Sequence, residues 1–229
     1  MERPRHWLSS SEWEVYRSFP APRRQRDWLV GRLAASHFTS HLLMENGQAQ
    51  LSQIRANLWG GQYHGEWRLD FSGRQPVYSG AGAVEHAALA EAAQVMGDDW
   101  ASGKLSLQYR LRAAGWSKAD LGASLASTAE FAVHDGVLRH LSLASDAKPL
   151  RVRRFTGTLA FDSGQFNLAT GKLQTLDGIY QVSGTALLDS KLNIKLVRDG
   201  SPSFDITGTL GAPKVTLVSR PQREAALTR

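Results

Sequence analysis

Apolar and polar residues alternate along much of the chain with the two-residue period of a half-buried β-strand. In the segment 63–71, apolar side chains fall on one face and polar ones on the other, and the alternation returns at 104–111. Shorter segments repeat it further along the chain. Their same-face apolar residues are Leu159/Phe161, Phe166/Leu168, Leu192/Ile194/Leu196, Phe204/Ile206 and Val215/Leu217. We therefore expect a mainly β protein.

Turn signals separate these segments. In each of them, glycine follows a small, polar or aromatic residue. Such pairs suit tight hairpins, whose residues need positive φ. Strands joined so closely must be mostly antiparallel, since a parallel crossover needs about a dozen residues or more. The pattern predicts a curved antiparallel meander sheet, either an open groove or a flattened barrel. The turn signals are Trp59-Gly60-Gly61, Ser72-Gly73, Asp135-Gly136, Ser163-Gly164, Thr170-Gly171, Asp177-Gly178, Ser183-Gly184 and Asp199-Gly200.

Two segments of the β-rich region have helical spacing instead. The segment 84–100 is rich in alanine, leucine and glutamate, and its apolar residues recur at helical intervals. The second segment runs from Ser117 to about Ser127. Ser117 is its expected N-cap, with Asp120 three residues further on. One or two short helices should therefore accompany the sheet.

The first 36 residues differ in character, since they are rich in arginine and tryptophan. Helical patterns at 11–19 and at about 22–35 predict an α-helical N-terminal arm. A boundary then falls between residues 36 and 50, where 37–50 is either a linker or a first strand. The β-domain extends over 51–217, and 218–229 is a polar tail.

Composition and charge describe an ordinary globular protein with a basic arm. The chain has 229 residues, of which 42% are hydrophobic and 21% charged, and a formal net charge of +6. Such an excess suits an anionic membrane surface or a nucleic acid. The strands do not repeat the interleaving of arginine and tryptophan seen in the arm, so nucleic acid is not an expected partner. Candidate contacts to an anionic surface are Arg23, Arg24, Arg26 and Arg32.

Catalytic and metal-binding patterns are missing from the sequence. Without cysteine there is no disulfide, thiolate metal site or cysteine nucleophile. His37 and His41 would share one face of a helix, yet no third ligand stands at motif spacing. The carboxylates of Asp98 and Asp99 lack a partnered base, and neither a nucleophile elbow nor a P-loop occurs. We expect a non-enzymatic protein with no cofactor and no metal.

Membrane and export signals are also missing from the sequence as written. No run approaches the roughly 18 apolar residues that a membrane-spanning helix needs. The first residues, MERPRHWLSSSEWEVYR, have no apolar stretch behind their charges. The expectation is that this chain carries neither an anchor nor a signal peptide.

An ordered set of segments carries a resemblance to a known family. The set comprises NLWGGQYHG at 57–65, Gly82 with the predicted helix after it, ASGKLSL at 101–107, LRAAGWS at 111–117, the segment 121–125, FAVHDGVLRHLSL at 131–143, FTGTL at 155–159 and GTLGAPKV at 208–215. In this order it resembles the C-terminal region of the AsmA family of envelope proteins over about 51–217. The resemblance implies that 121–125 is a short helix and 131–143 a hairpin.

The resemblance to the AsmA family also implies a location and a function. Its members face the periplasm, are held to the inner membrane, and are linked to outer-membrane biogenesis and phospholipid transport or homeostasis. The larger relatives carry phospholipid in an apolar groove. This chain is shorter and unanchored, so it resembles the terminal module of a longer protein.

An apolar sheet face must be covered by a second sheet, a helix or a ligand. One interpretation is a closed core beneath the helix at 84–100, which would make this a structural or protein-interaction domain. The other is a lipid groove, with phospholipid, a membrane surface and envelope proteins as partners. The candidate lipid-facing or core residues are Leu105, Leu107, Tyr109, Leu111, Leu159, Phe161, Leu192, Ile194 and Leu196.

The arm resembles the start of a different family, the larger phosphopantetheinyl transferases. Arg23-Arg24 and the segment 31–35 match positions that meet coenzyme A phosphates in that family, as guanidinium groups can. Ser36 replaces the usual lysine, and the D-x-E carboxylates and the W-x-x-K-E-x-x-x-K helix are missing. Coenzyme A-dependent transfer is thus the least favoured function. The arm is a transferase remnant, a membrane-surface helix or a helical cap on the sheet.

Overall fold

The computed structural model describes residues 35–95, 99–143, 148–187, 191–198 and 202–218. Within these ranges, twelve strands form one antiparallel sheet in which each strand pairs with the next along the chain. The strands are β1 Ala35–Glu45, β2 Gln48–Leu58, β3 Gly61–Asp70, β4 Val77–Ala88, β5 Ala101–Ala114, β6 Ala126–Leu138, β7 Leu150–Asp162, β8 Gln165–Thr175, β9 Ile179–Leu187, β10 Lys191–Val197, β11 Ser203–Thr209 and β12 Pro213–Val218. Because β1 and β12 are the two edges, the sheet is open, and the predicted antiparallel meander is confirmed.

The predicted alternation sets the two faces of the sheet. In β3, Tyr63, Trp67 and Leu69 are at least partly buried while His64 and Arg68 between them are exposed. Strand pairing carries each face across the sheet. One row joins the apolar positions of eight neighbouring strands, and we call its side the inner face. The row consists of Tyr109, Ala129, Leu159, Leu168, Gly184, Ile194, Ile206 and Val215.

Two-residue turns with positive φ join several of the strands. Trp59-Gly60 has φ values of 49° and 71°, and Ser163-Gly164 has 51° and 81°, so both are hairpin turns as predicted. A third, Asn46-Gly47, with 49° and 75°, joins β1 to β2. The segment 37–50 therefore contains most of the first strand and its hairpin, where the sequence left a linker or a strand open.

Three of the predicted turns were wrong. Asp135-Gly136 lies within β6, Thr170-Gly171 within β8 and Ser183-Gly184 within β9. The first two coincide with shifts in strand register, where an extra residue bulges from the ladder. Gly184 has a φ of 143°, and a Cβ there would lie 2.1 Å from the carbonyl oxygen of Asn193. These glycines serve bulges and close backbone approach, so most of 131–143 is strand β6 and the expected hairpin is not formed.

The structure corrects the first predicted helix. Strand β4 continues to Ala88, and helix α1 extends only over Leu89–Val95. Ala87 is fully buried and pairs with Leu105 of β5. Alanine fits both a helix and a tightly packed strand, so its helical spacing did not exclude pairing with β5.

The second predicted helix is confirmed as α2, Lys118–Ser124. Its N-cap is Ser117, as predicted, and Asp120 completes a capping box. The predictions for the arm, including its helices, Arg23, Arg24, Arg26 and Arg32, lie outside the described residues. So do the turn at Asp199-Gly200 and most of the polar tail.

Candidate apolar groove

A groove of about 450 Å³ lies on the inner face of the sheet and is lined by strands β5 to β12. Its lining is almost wholly apolar. Apart from glycine, the polar lining residues are Ser102 and His140, and no carboxylate, lysine or arginine lines it within the described part of the chain. A volume of this size matches that of small-molecule sites, and the uncharged wall favours a hydrocarbon ligand.

Six of the nine candidate residues from the sequence line this groove: Leu105, Leu107, Leu159, Leu192, Ile194 and Leu196. The other three do not. Phe161 is only 3% exposed and packs on Phe166, with ring centroids 4.6 Å apart. Tyr109 bonds through its phenol oxygen to Tyr63, and Leu111 lies at the next inner position of β5.

Several lining residues on the strands were outside the candidate set. Phe131, Val133, Phe155 and Val182 belong to this class, since each occupies an inner position. Other lining residues carry no periodic signal. Trp100, His140 and Leu141 reach the groove from outside the strands, and only tertiary structure brings them there.

One end of the groove is excluded from solvent. Leu196 is 1% exposed, and Leu173, Val182 and Tyr180 are also buried. Tyr180 packs edge-on against Phe204, with ring centroids 6.2 Å apart. Towards the other end of the same strands, Leu192, Ile194, Phe166 and Ala186 are only half-buried. The groove is therefore closed at the end of β10 that contains Leu196 and more open at the end that contains Leu192.

The wall of the groove depends on glycine opposite aromatic rings. Phe131 and Phe155 meet edge to face with centroids 4.9 Å apart. Gly157 pairs with Phe131 on one side and with Gly171 on the other. A Cβ on Gly157 would lie 3.1 Å from the Phe131 ring and 2.9 Å from Leu168. Because Gly157 and Gly171 have no side chain, there is room for the rings of Phe131 and Phe155 and for Leu168.

Helix α1 is too short to cover the inner face. Its seven residues span about 10 Å. The eight strands that line the groove span about 34 Å across the sheet, from the usual spacing of neighbouring strands. The helix packs against β5, and Leu89 is its one described residue in the groove lining. In the described part of the segment 84–100, the helix is thus too short to cover most of this face, as the closed-core interpretation requires.

The remaining candidate chemistry is weak. His37 and His41 lie on strand β1, so the helical face expected for them is not formed. Asp99 forms an exposed ion pair with Arg139 at 2.5 Å. A wide trough of about 900 Å³ on the outer face is lined by charges of both signs, among them Arg110 and Glu130. Within the described ranges, no cluster of three or more histidine, cysteine or carboxylate residues could hold a metal ion.

The last observations concern the length of the described helices and the relation of this chain to known proteins. In the described segments, neither helix is long and apolar enough to cross a bilayer. No protein-family model matches the chain. No curated protein and no solved structure matches it either. The inference of function therefore starts from the chemistry of the groove.

Proposed function

We propose that this chain is an AsmA-like envelope module that binds the acyl chains of phospholipids in its groove. Its role would lie in outer-membrane biogenesis or in phospholipid transport and homeostasis. The observation that carries the proposal is the uncharged groove across eight strands, which helix α1 leaves largely uncovered. An exposed apolar surface of this kind marks a binding site for another apolar surface.

The physical chemistry of the lining favours hydrocarbon over a polar ligand. Burial of each methylene group contributes roughly 0.8 kcal/mol. A polar headgroup would lose its hydration against leucine, isoleucine and phenylalanine side chains, and it would find almost no hydrogen-bond partner there. The closed end near Leu196 suits the terminal methyl of a chain, and the open end near Leu192 leaves a headgroup in water.

The AsmA part of the proposal rests on the resemblance of the ordered segments described above. NLWGGQYHG at 57–65 contains the turn between β2 and β3, and ASGKLSL at 101–107 begins β5. LRAAGWS at 111–117 leads from β5 to the N-cap of α2, and GTLGAPKV at 208–215 contains the turn between β11 and β12. By this resemblance the module is non-enzymatic, faces the periplasm and associates with the inner membrane.

A matched pair of variants tests lipid binding. Ile194 lines the groove, whereas its neighbour Asn193 is exposed on the outer face of the same strand. After gentle purification, we expect mass spectrometry of an organic extract to show phospholipid bound to the unmodified chain and to Asn193→Lys. Ile194→Lys should lose most of it. An unmodified protein without phospholipid, or equal lipid content in both variants, would contradict the proposal.

A second candidate function is a structural or protein-interaction domain with a closed core. The buried cluster around Leu196, Tyr180 and Phe204 favours it, because that end of the inner face is already packed. In that case the half-buried residues near Leu192 would contact a protein partner instead of lipid. Purified protein would then be free of phospholipid, and Leu192→Lys would abolish capture of that partner. Coenzyme A-dependent transfer would require modification of an acyl carrier protein in the presence of magnesium.

A further inference from the structure

The two edges of the sheet differ in how they are protected against pairing with another strand. Strand β12 begins with Pro213 and Lys214. Proline and lysine are usual devices that protect an edge. Strand β1 has 11 residues, contains no proline, lysine or arginine, and carries one carboxylate, Glu45. The edge formed by β1 therefore lacks the proline and lysine that protect β12.

Strand β1 also exposes large apolar side chains. Phe38 is 58% exposed, Leu42 60%, Leu43 59% and Met44 73%. Leu42 pairs with Leu51, which pairs with Trp67, so Leu42 continues the inner face to the edge. Leu43, one residue on, lies on the opposite face. A strand added beside β1 would therefore meet apolar side chains on both faces of the sheet.

We propose that β1 pairs antiparallel with β1 of a second copy of this chain, which gives a two-fold symmetric dimer. The difference between the edges favours a second copy. A head-to-tail assembly would require the protected edge of β12, whereas a two-fold contact joins the two unprotected edges and closes. The dimer goes beyond lipid binding and does not depend on it.

The register follows from the regular part of β1. Its pairing with β2 is irregular between Ser36 and His41 but regular from His41 to Glu45. A two-fold axis at Leu43 places Leu42 opposite Met44 of the second copy. The same axis places the His41 imidazole opposite the Glu45 carboxylate of that copy. Three apolar cross-strand pairs, one of them Leu43 with its copy, and two complementary polar pairs result, and such pairs stabilise a sheet.

The dimer would make the apolar inner faces of two copies continuous. Leu42 and Met44 lie on this face through their partners Leu51 and Ala49. Their pairing with the second copy would cover side chains that are otherwise among the most exposed apolar groups described. The two grooves would then lie on one extended sheet, related by the axis at Leu43.

Cysteine crosslinking tests the register directly, because the chain contains no cysteine. Glu45 and Gln48 flank a two-residue turn, so the peptide groups of residues 41, 43 and 45 face β2. Leu43 would therefore form a non-hydrogen-bonded pair with its copy. The Cα separation of about 4.5 Å in such pairs permits a disulfide. We expect Leu43→Cys to form a disulfide-linked dimer under mild oxidation, whereas Thr216→Cys on β12 should form no disulfide-linked dimer.

Light scattering of the full chain provides the second measurement. We expect a dimer at micromolar concentration, and Leu43→Lys should raise the dissociation constant by about tenfold or more, because it sets two like charges opposite each other. Leu43 is exposed, so the variant should keep its fold, and Thr216→Lys is the matched control on the other edge. A monomeric unmodified chain at these concentrations would overturn the dimer. Faster crosslinking through Ser40→Cys than through Leu43→Cys would overturn the register.

Discussion

Tyr63 and Tyr109 share a hydrogen bond of 2.8 Å between their phenol oxygens across the intervening strand β4. Their rings are stacked, with centroids 6.5 Å apart and planes 16° apart. Trp67 donates from Nε1 to the Tyr63 oxygen at 3.2 Å. On β4, a Cβ at Gly82 would lie 3.1 Å from the Tyr63 ring and hydroxyl. Glycine therefore leaves room for this aromatic network on the inner face.

The network predicts a stability that falls in alkali. Burial, and then the hydrogen bond to Tyr63, raise the pKa of Tyr109 well above its usual range. Above about pH 10 the unfolded chain loses this proton while the folded chain retains it. The contribution of Tyr109 is therefore complete below pH 10 and is lost as the pH rises towards the folded value. Urea unfolding at stepped pH should show this decline.

Tyr109→Phe is the variant that isolates the effect of this phenol. It should remove that part of the alkaline decline and cost about 0.5–1.5 kcal/mol at neutral pH for the lost hydrogen bond. Absorbance titration near 295 nm should show that the phenol that ionises at the highest pH in the unmodified chain is missing from the variant. A variant that loses amplitude in the ordinary range around pH 10 and keeps the high-pH phase would show that Tyr109 ionises as an exposed tyrosine does.

Replacement of Gly157 and of Gly122 by alanine should change the free energy of unfolding in opposite directions. A Cβ at Gly157 would lie 2.9 Å from Leu168 and 3.0 Å from the carbonyl oxygen of Thr170. Gly157→Ala should therefore lower the free energy of unfolding by about 1–3 kcal/mol. Gly122 of α2 has no heavy atom within 4 Å of a built Cβ. Gly122→Ala should raise the stability by about 0.5–1 kcal/mol. Urea denaturation measures both, and an unchanged or raised stability of Gly157→Ala would contradict the packing at Gly157.

The capping box of α2 predicts a coupled change in stability and in titration. Ser117 accepts from the Asp120 amide at 3.1 Å, and its own amide donates to the Asp120 carboxylate at 3.0 Å. The hydrogen bonds from Ser117 hold the pKa of Asp120 below its usual range. This contribution is present above the unfolded carboxyl value and is lost as the pH falls through the folded value. Ser117→Ala should raise the pKa of Asp120 towards its ordinary value.

The same variant should reduce stability through the loss of the N-cap. Replacement of a serine N-cap by alanine costs about 1 kcal/mol. Lys118→Ala, at an exposed position in the same turn, is the control and should change the free energy of unfolding by less than about 0.5 kcal/mol. Two-dimensional NMR of the Asp120 carboxyl carbon follows the titration. Equal effects of both variants would mean that the box contributes nothing measurable to the fold.

The period of two predicted seven strands, because burial on one face is a local property of sequence, and the short connections between segments predicted the antiparallel pairing. The predicted strands are β3, β5, β7, β8, β10, β11 and β12. Glycine pairs predicted turns less well. Gly60 and Gly164 stand in hairpin turns, whereas Gly171 and Gly184 stand inside strands beside a bulge or a close backbone. The dipeptide alone does not distinguish these uses. Alanine was ambiguous for a similar reason, since Ala87 packs as well in a strand as in a helix.

Membership of the groove was only partly predictable. Alternation placed Leu107, Leu111 and Phe161 on the apolar faces of their strands, but the pairing of the strands decides which of these residues lie beside the groove. Leu107 stands beside Phe131 and lines the groove, while Phe161 packs beneath Phe166. Register is a non-local property, set by bulges at positions that a single strand does not reveal.

The two ends of the groove differ in packing, so replacement of leucine by alanine should lower the free energy of unfolding by unequal amounts along β10. Leu196 is 1% exposed at the closed end of the groove, and Leu192 is half-buried at the open end of β10. Leu196→Ala should lower the free energy of unfolding by about 3 kcal/mol, since it leaves a cavity in packed surroundings. Leu192→Ala should cost about 1 kcal/mol, because only part of that side chain is removed from water. Urea denaturation of both variants measures the difference, and equal costs would show that both ends are packed as a closed core.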